Sequence, residues 1–378
     1  MNHPARYSLI ATMVWCLTLS VSVAYAEDNI NTIMAKAAGS LSDLIPLAYN
    51  DDAFRAEQHR KAISEQLAQL NTLFTHKAQL LGKQSDTAWI TLKVLQDHLA
   101  ETESLYNAGY YAMSQYLLTS TPAICSTCHI QDSAHSSIQT SLTRDSFAND
   151  YSYAEYLFTV RNYDLAQQYY QSHLQLADVK QSRFRYLKPL ERLLTIELGI
   201  RQSIAKAKML LTEHHKRTKQ IEIKQVISEW LQGVSSINAA GINNHQQLVQ
   251  LYDQWFANTP NNSHEFIMDE AKRPKAIWLR AKLYEALNKK QSKEQSSQTL
   301  YMLAVIDRIL GQDEPYSFAN LYLKQCVVKY PKTSSAKRCL DEYKNHLSFY
   351  YGGSAGEAVP EELVNEYQEM KAHIESAN

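Results

Sequence analysis

Apolar residues recur at three- and four-residue intervals through most of this chain, the spacing that gathers them on one face of an α-helix. Upstream of residue 125 the pattern resolves into four helices. The first is expected over Asn29 to Leu47, through Ile30, Met34, Leu41 and Leu44, with Pro46 near its end. The second runs from Asp52 to His76, through Phe54, Ile63, Leu67, Leu70 and Phe74, with Asp51 or Asp52 available to cap it. Trp89, Leu92, Leu95 and Leu99 mark a third over Asp86 to Tyr106, and Gly109 a turn before a fourth from Tyr110 onward. Four consecutive amphipathic helices with short links predict an antiparallel bundle.

A polar stretch, Ile130 to Thr143, then reads as a linker or covering loop before helical spacing resumes. Ala154 to Phe158, a tight Asn/Asp turn within Arg161-Asn162-Tyr163-Asp164, and a second helix opening at Ala166 with Tyr169 and Tyr170 resemble a tetratricopeptide unit. Further pairs are expected at Leu187–Arg201 with Ser203–His214, Ala276–Leu287 with Thr299–Leu310, and Phe318–Tyr330 with Ser335–Ser348. Their spacing is irregular, so the region reads as a degenerate helical-repeat array, with Lys219 to Asn258 adding helices and Asn288 to Gln298 a polar loop. The alternative is a plain α-helical domain. Gly352, Gly353 and Gly356 precede a last helix from Pro360 to Ser376. No strand precedes that glycine loop and it holds no Lys, which argues against a phosphate cradle. Ala, Leu, Gln, Lys and Glu are plentiful, and only 10 Gly and 9 Pro interrupt 378 residues. Composition therefore agrees with an all-α fold.

The amino terminus changes the picture of compartment. Arg6 precedes an apolar run from Leu9 to Val23 that ends in Ala24-Tyr25-Ala26, the layout of a cleavable secretory signal. That run is shorter than the roughly 20 residues of a spanning helix. The expectation is an exported protein without stable membrane insertion. Net charge is −1 and the Lys and Arg residues read as dispersed, which gives no footprint for nucleic acid. Of the 5 Cys, Cys16 leaves with the signal, and Cys326 and Cys339 flank the turn at Pro331. An oxidising compartment permits these two to pair; the alternative is two buried thiols.

Cys125-Ser126-Thr127-Cys128-His129 carries the chemistry. C-x-x-C-H is the pattern of covalent c-type haem attachment. On one helical turn two thiols reach the two porphyrin vinyl groups, and the adjacent His sits under the iron. A thioredoxin-like pair would need a βαβ surround, and a zinc site a second pair of ligands. One haem c is therefore expected, held by Cys125 and Cys128 with His129 as proximal ligand. In an up-down bundle the end of the fourth helix lies level with the start of the first, the end of the second and the start of the third. That places Met34, His76 and Trp89 near the haem. His76 is the first choice of sixth ligand, Met34 the second and a vacant position the third, with Trp89 as packing. His98 is expected half a helix away and His59 at the far end.

Three segments together resemble a family of bacterial exported monohaem c-type cytochromes with a class II, c-prime-like haem module. They are Ala112 to Leu118 leading into Cys125 to Gln131, the repeat-like segment Ala154 to Tyr170, and Gly353-Ser354-Ala355-Gly356 with Pro360. Ile130 stands where that family would have Thr. The resemblance implies a Gram-negative periplasmic haem protein with a four-helix bundle and a tetratricopeptide-like array. The expected organisation is a signal over 1–26, a haem bundle over 27–135, a linker over 136–146, a repeat domain over 147–350, and a glycine loop with closing helix over 351–378. The expected role is electron transfer rather than enzymatic catalysis, the array docking a periplasmic redox partner. A haem-based gas sensor and a haem-bearing scaffold are the alternatives.

Overall fold

In the computed structural model the described residues (30–81, 86–129, 142–176, 182–238, 242, 244–256, 269–311, 317–353 and 356–377) form an all-α protein. The expected signal segment and most of the expected linker lie outside them. Among them strand is confined to a two-residue antiparallel pair, Gly352–Gly353 with Gly356–Glu357.

Upstream lie α1 (Ile30–Ala48), α2 (Asp51–Arg55), α3 (Glu57–Leu81), α4 (Asp86–Asn107) and α5 (Tyr111–His129). The expected second helix is broken at Ala56, whose extended backbone ends α2. The cap is Asn50 and not Asp51 or Asp52: its side chain accepts the Ala53 N–H at 3.1 Å. Both aspartates fall instead in the first turn, where negative charge faces the helix N-terminus favourably. Gly109 closes α4 in the left-handed region at φ +83°. Its N–H donates to the Tyr106 carbonyl and the Tyr110 N–H to that of Leu105, a paired bond set that reverses the chain into α5.

The four long helices close a ring: α1 lies on α3, α3 on α4, α4 on α5 and α5 on α1. Leu44, Phe54, Ile63, Leu67, Leu70, Leu99 and Leu118 fill it, each essentially without solvent contact. Burying one such side chain stabilises the fold by about 1.5–3 kcal/mol.

Downstream come α6 (Asp150–Thr159), α7 (Tyr163–His173), α8 (Arg183–Thr195, prolonged by a π turn over Ile196–Ile200), α9 (Ile204–Arg217), α10 (Ile221–Ser235) and α11 (His245–Phe256). The chain continues through α12 (Lys272–Leu287), α13 (Lys293–Leu310), α14 (Ala319–Lys329), α15 (Ser334–Tyr351) and α16 (Glu361–Ala377). Most successive helices pack on each other, and α10 also lies on α12 and α13 on α15. The expected pair of α8 with α9 makes fewer contacts than α9 with α10. Helix α13 starts at Lys293, inside the expected polar loop. Ser292 caps it, and Gln295 returns the bond to the cap N–H, so this polarity belongs to a helix start. Cys326 of α14 and Cys339 of α15 are disulfide-bonded, with Cα atoms 6.3 Å apart.

Candidate functional site

Helix α5 carries the C-x-x-C-H sequence in its last turn. Ala112, Gln115, Leu117 and Leu118 favour the helix, and Pro122 interrupts it from inside. A proline here removes the N–H that would bond the Leu118 carbonyl and splays the preceding turn. Hydroxyl donors gather at that turn. The Leu117 carbonyl accepts from Ser120 Oγ at 2.7 Å and Thr121 Oγ1 at 3.2 Å. It also lies 2.8 Å from Nε2 of His98 on α4.

His98 is buried, and burial pushes its imidazole pKa down to about 4. The ring is neutral at physiological pH, with Nε2–H as the donor to Leu117. Thr102 Oγ1 bonds the His98 carbonyl, and Ser114 Oγ bonds that of Thr102. A polar seam thus runs between α4 and α5 inside an otherwise apolar ring.

Cross-helix bonds fix the register around the motif. Gln66 bonds Asp43, Asn71 bonds Glu103, and Gln96 Nε2 bonds the Phe74 carbonyl at 2.7 Å. Continued in that register, the start of α1, the end of α3 and the start of α4 reach the level of the α5 C-terminus. Position 34 falls in the second turn of α1, 76 in the second-last turn of α3 and 89 in the first turn of α4. Met34 is half-buried against the ring core, which also includes Phe74, Leu92 and Ile124, and Cys125 packs against the same cluster. The side chains of His76, Trp89, Cys128 and His129 lie outside the described residues. His59 belongs to the first turn of α3, at the opposite end of the ring.

The contacts that sequence reasoning missed join the upstream helices to the downstream part of the chain. Ser126, between the two cysteines, is buried; it donates to the Ala123 carbonyl at 2.7 Å and accepts from Arg161 Nε at 3.2 Å. Arg161 holds the turn between α6 and α7 in the left-handed region, at φ +64°. An L-residue there costs roughly 1–2 kcal/mol. Phe318 packs against both the ring core and the downstream core. Ile90 and Val94 of α4 meet Leu321 of α14, and Lys93 pairs with Glu362 of α16 at 3.3 Å. Helices from the second half of the chain therefore reach the motif end of the ring. A turn in this region is legible in the sequence as an Asn/Asp turn, but nothing there signals that Arg161 holds it or that this arginine reaches Ser126.

The helical backbone of the motif and the Cys125 side chain at its apolar border are compatible with a covalently held porphyrin. Both cysteines and His129 fall within one continuous helical turn, and Cys125 borders an apolar core. Among the described residues no group of three or more His, Cys, Asp or Glu gathers to hold a bare metal ion. No helix among them is long and apolar enough to cross a membrane. No protein-family model matches the chain, and neither a curated protein nor a solved structure does.

Proposed function

We propose that this chain is an exported monohaem cytochrome c that transfers electrons, with haem on Cys125 and Cys128 and His129 as proximal ligand. The ring of α1, α3, α4 and α5 serves as its class II-like haem bundle, and the tetratricopeptide-like helices docks a periplasmic redox partner. The observation that carries this reading is the C-x-x-C-H sequence in the final turn of a helix whose Cys125 borders the ring core. A bound haem supplies a one-electron Fe(III)/Fe(II) couple tuned by its axial ligands and its burial. The chain's own residues attach the group, exclude water and set its orientation. His98 and the hydroxyls around Leu117 brace the helix that bears the motif at the turn Pro122 interrupts. His76 is the first candidate for sixth ligand and Met34 the second, with Trp89 packing beside the group.

Visible spectra of protein matured in a strain competent for c-type haem attachment test the reading. Sharp reduced α and β bands, unchanged by CO and altered in His76→Ala or Met34→Ala, are the expected result. Cys125→Ala with Cys128→Ala removes the covalent haem. A broad reduced spectrum that shifts with CO replaces electron transfer by gas binding. Protein without covalent haem refutes the assignment.

A further inference from the structure

Away from the motif, the first turn of α6, the end of α7 and the start of α8 enclose a cleft of about 480 Å³. Small-ligand and peptide side-chain pockets fall in this size range. Its walls are chemically divided. Tyr151 and His173 form an aromatic floor, with ring centroids 5.1 Å apart. Arg144, Arg185 and Lys188 bring three cations against one carboxylate, Asp150, which Arg144 engages at 2.6 Å. Phe184 and Leu176 stand at the rim, 73% and 48% exposed.

The surroundings deepen the asymmetry. Between Arg183 and Lys219 ten Lys and Arg face three Glu, an excess of seven positive charges, in a chain whose total is −1. Arg192 and Arg201 are matched by Glu155 and by Glu197 with Asp164, and Arg217 pairs with Glu213. Arg183, Lys206, Lys208, Lys216, Arg217 and Lys219 are exposed. Arg217 reaches across to Gln175 beside the rim, so the basic end of α9 adjoins the cleft. A basic approach to an aromatic cleft with exposed apolar rim residues complements acidic residues flanking an apolar side chain.

We infer that this cleft is a docking site for an acidic peptide segment of a partner protein, Arg185 and Lys188 receiving carboxylates and Phe184 with Leu176 an apolar side chain. The inference rests on the reading of the downstream helices as a docking module and is independent of the haem. It supplies the chemistry of the partner that reading requires.

Selection of a displayed library of random dodecapeptides on the full-length protein tests it. Peptides rich in Asp and Glu around an apolar residue are expected. Their affinity falls at least about tenfold in Arg185→Glu with Lys188→Glu, falls in Phe184→Ala, and weakens as salt screens the charges. The substituted side chains are exposed or half-buried, and unchanged thermal melting verifies that the variants fold. Failure to enrich acidic peptides, or equal binding by the doubly substituted protein, overturns the proposal. So does binding of phosphatidylglycerol vesicles, sensitive to the same substitutions, in place of peptides. Peptide binding by protein that takes no haem removes the cytochrome reading alone, and a haem protein that selects no acidic peptide removes this site alone.

Discussion

Stability should fall as the medium is acidified from neutrality, and His98 should be one of the buried histidines responsible. Among the described residues three imidazoles have a pKa pushed down to about 4, His98 in the α4–α5 seam, His214 on α9 and His346 on α15, and burial lowers that of His245 as well. Burial is the leading cause in all three, and Arg308 and Lys324 add to it at His346. The Tyr186 hydroxyl lies 2.7 Å from Nδ1 of His214. In the unfolded chain each histidine titrates near 6.5. A folded pKa below the unfolded one means that the unfolded chain takes up protons first. The penalty is absent above pH 6.5, grows as pH falls, and is complete near pH 4. At about pH 5 one such group costs about 2 kcal/mol, and the three together about 6 kcal/mol. That is comparable with the 5–15 kcal/mol by which domains are ordinarily stable. Asp97 and Glu101, whose carboxyls burial holds above their usual range, oppose the trend, so wild type alone does not isolate the histidines. His98→Gln keeps a donor for the Leu117 carbonyl and loses the titration. Urea unfolding at about pH 7, 6 and 5 should show the wild type losing about 2 kcal/mol more than the variant over that span. Parallel pH profiles would refute the assignment of His98 as a buried neutral donor.

Four further perturbations follow from the packing. Replacing Cys326 and Cys339 by Ser should cost about 3 kcal/mol in reversible unfolding, from a closure spanning a sequence separation of 13. Arg192→Met leaves the Glu155 carboxylate buried with Tyr170 but without its guanidinium, at about 3–5 kcal/mol in a thermal melt. Gly233→Ala sets a Cβ 2.3 Å from the Ala271 carbonyl oxygen, forcing α10 from the segment before α12; a loss of about 1–3 kcal/mol in urea is expected. Arg161→Gly should raise stability by up to about 1 kcal/mol through relief of the left-handed backbone, and lower the reduction potential of the haem-loaded protein by removing a positive charge beside Ser126.

Helix type and order were legible because long apolar periodicities survive translation into packing. The ring helices emerged with ends moved by only a few residues, because Gly109 and the polar links punctuate them strongly. The errors have local causes. The break at Ala56 left no proline or glycine to announce it, and the start of α13 hid among polar residues that its cap requires. The C-x-x-C-H residues were legible because spacing alone defines them. Their surroundings were not: Ser126 and Arg161 are 35 residues apart, and Ile90 and Leu321 belong to opposite halves of the chain. His98 shows the same limit, since a periodic reading places it on a helix but cannot show which carbonyl its ring approaches.

The α6–α7 hairpin joins the two features on which the functional reading depends. Helix α6 opens at Asp150 and Tyr151 in the basic cleft and ends beside Arg161, whose side chain lies on the buried Ser126 of the motif. Ten residues of helix separate those ends, about 15 Å at the ordinary helical rise. Arg192 of α8 clamps the middle of α6 through Glu155, at 3.1 Å, and Tyr170 of α7 donates to the same carboxylate at 2.6 Å. The span is thus held by a buried ion pair and a hydrogen bond rather than by apolar contact alone. A strained arginine persists where the surrounding structure overdetermines it. Here the turn bonds of Arg161 and Asn162 hold its backbone, and Ser126 holds its side chain. A partner seated in the cleft would press on the helix whose other end touches the motif. Docking and cofactor environment would then be linked through one short, braced element, with no need for a long pathway through the downstream core.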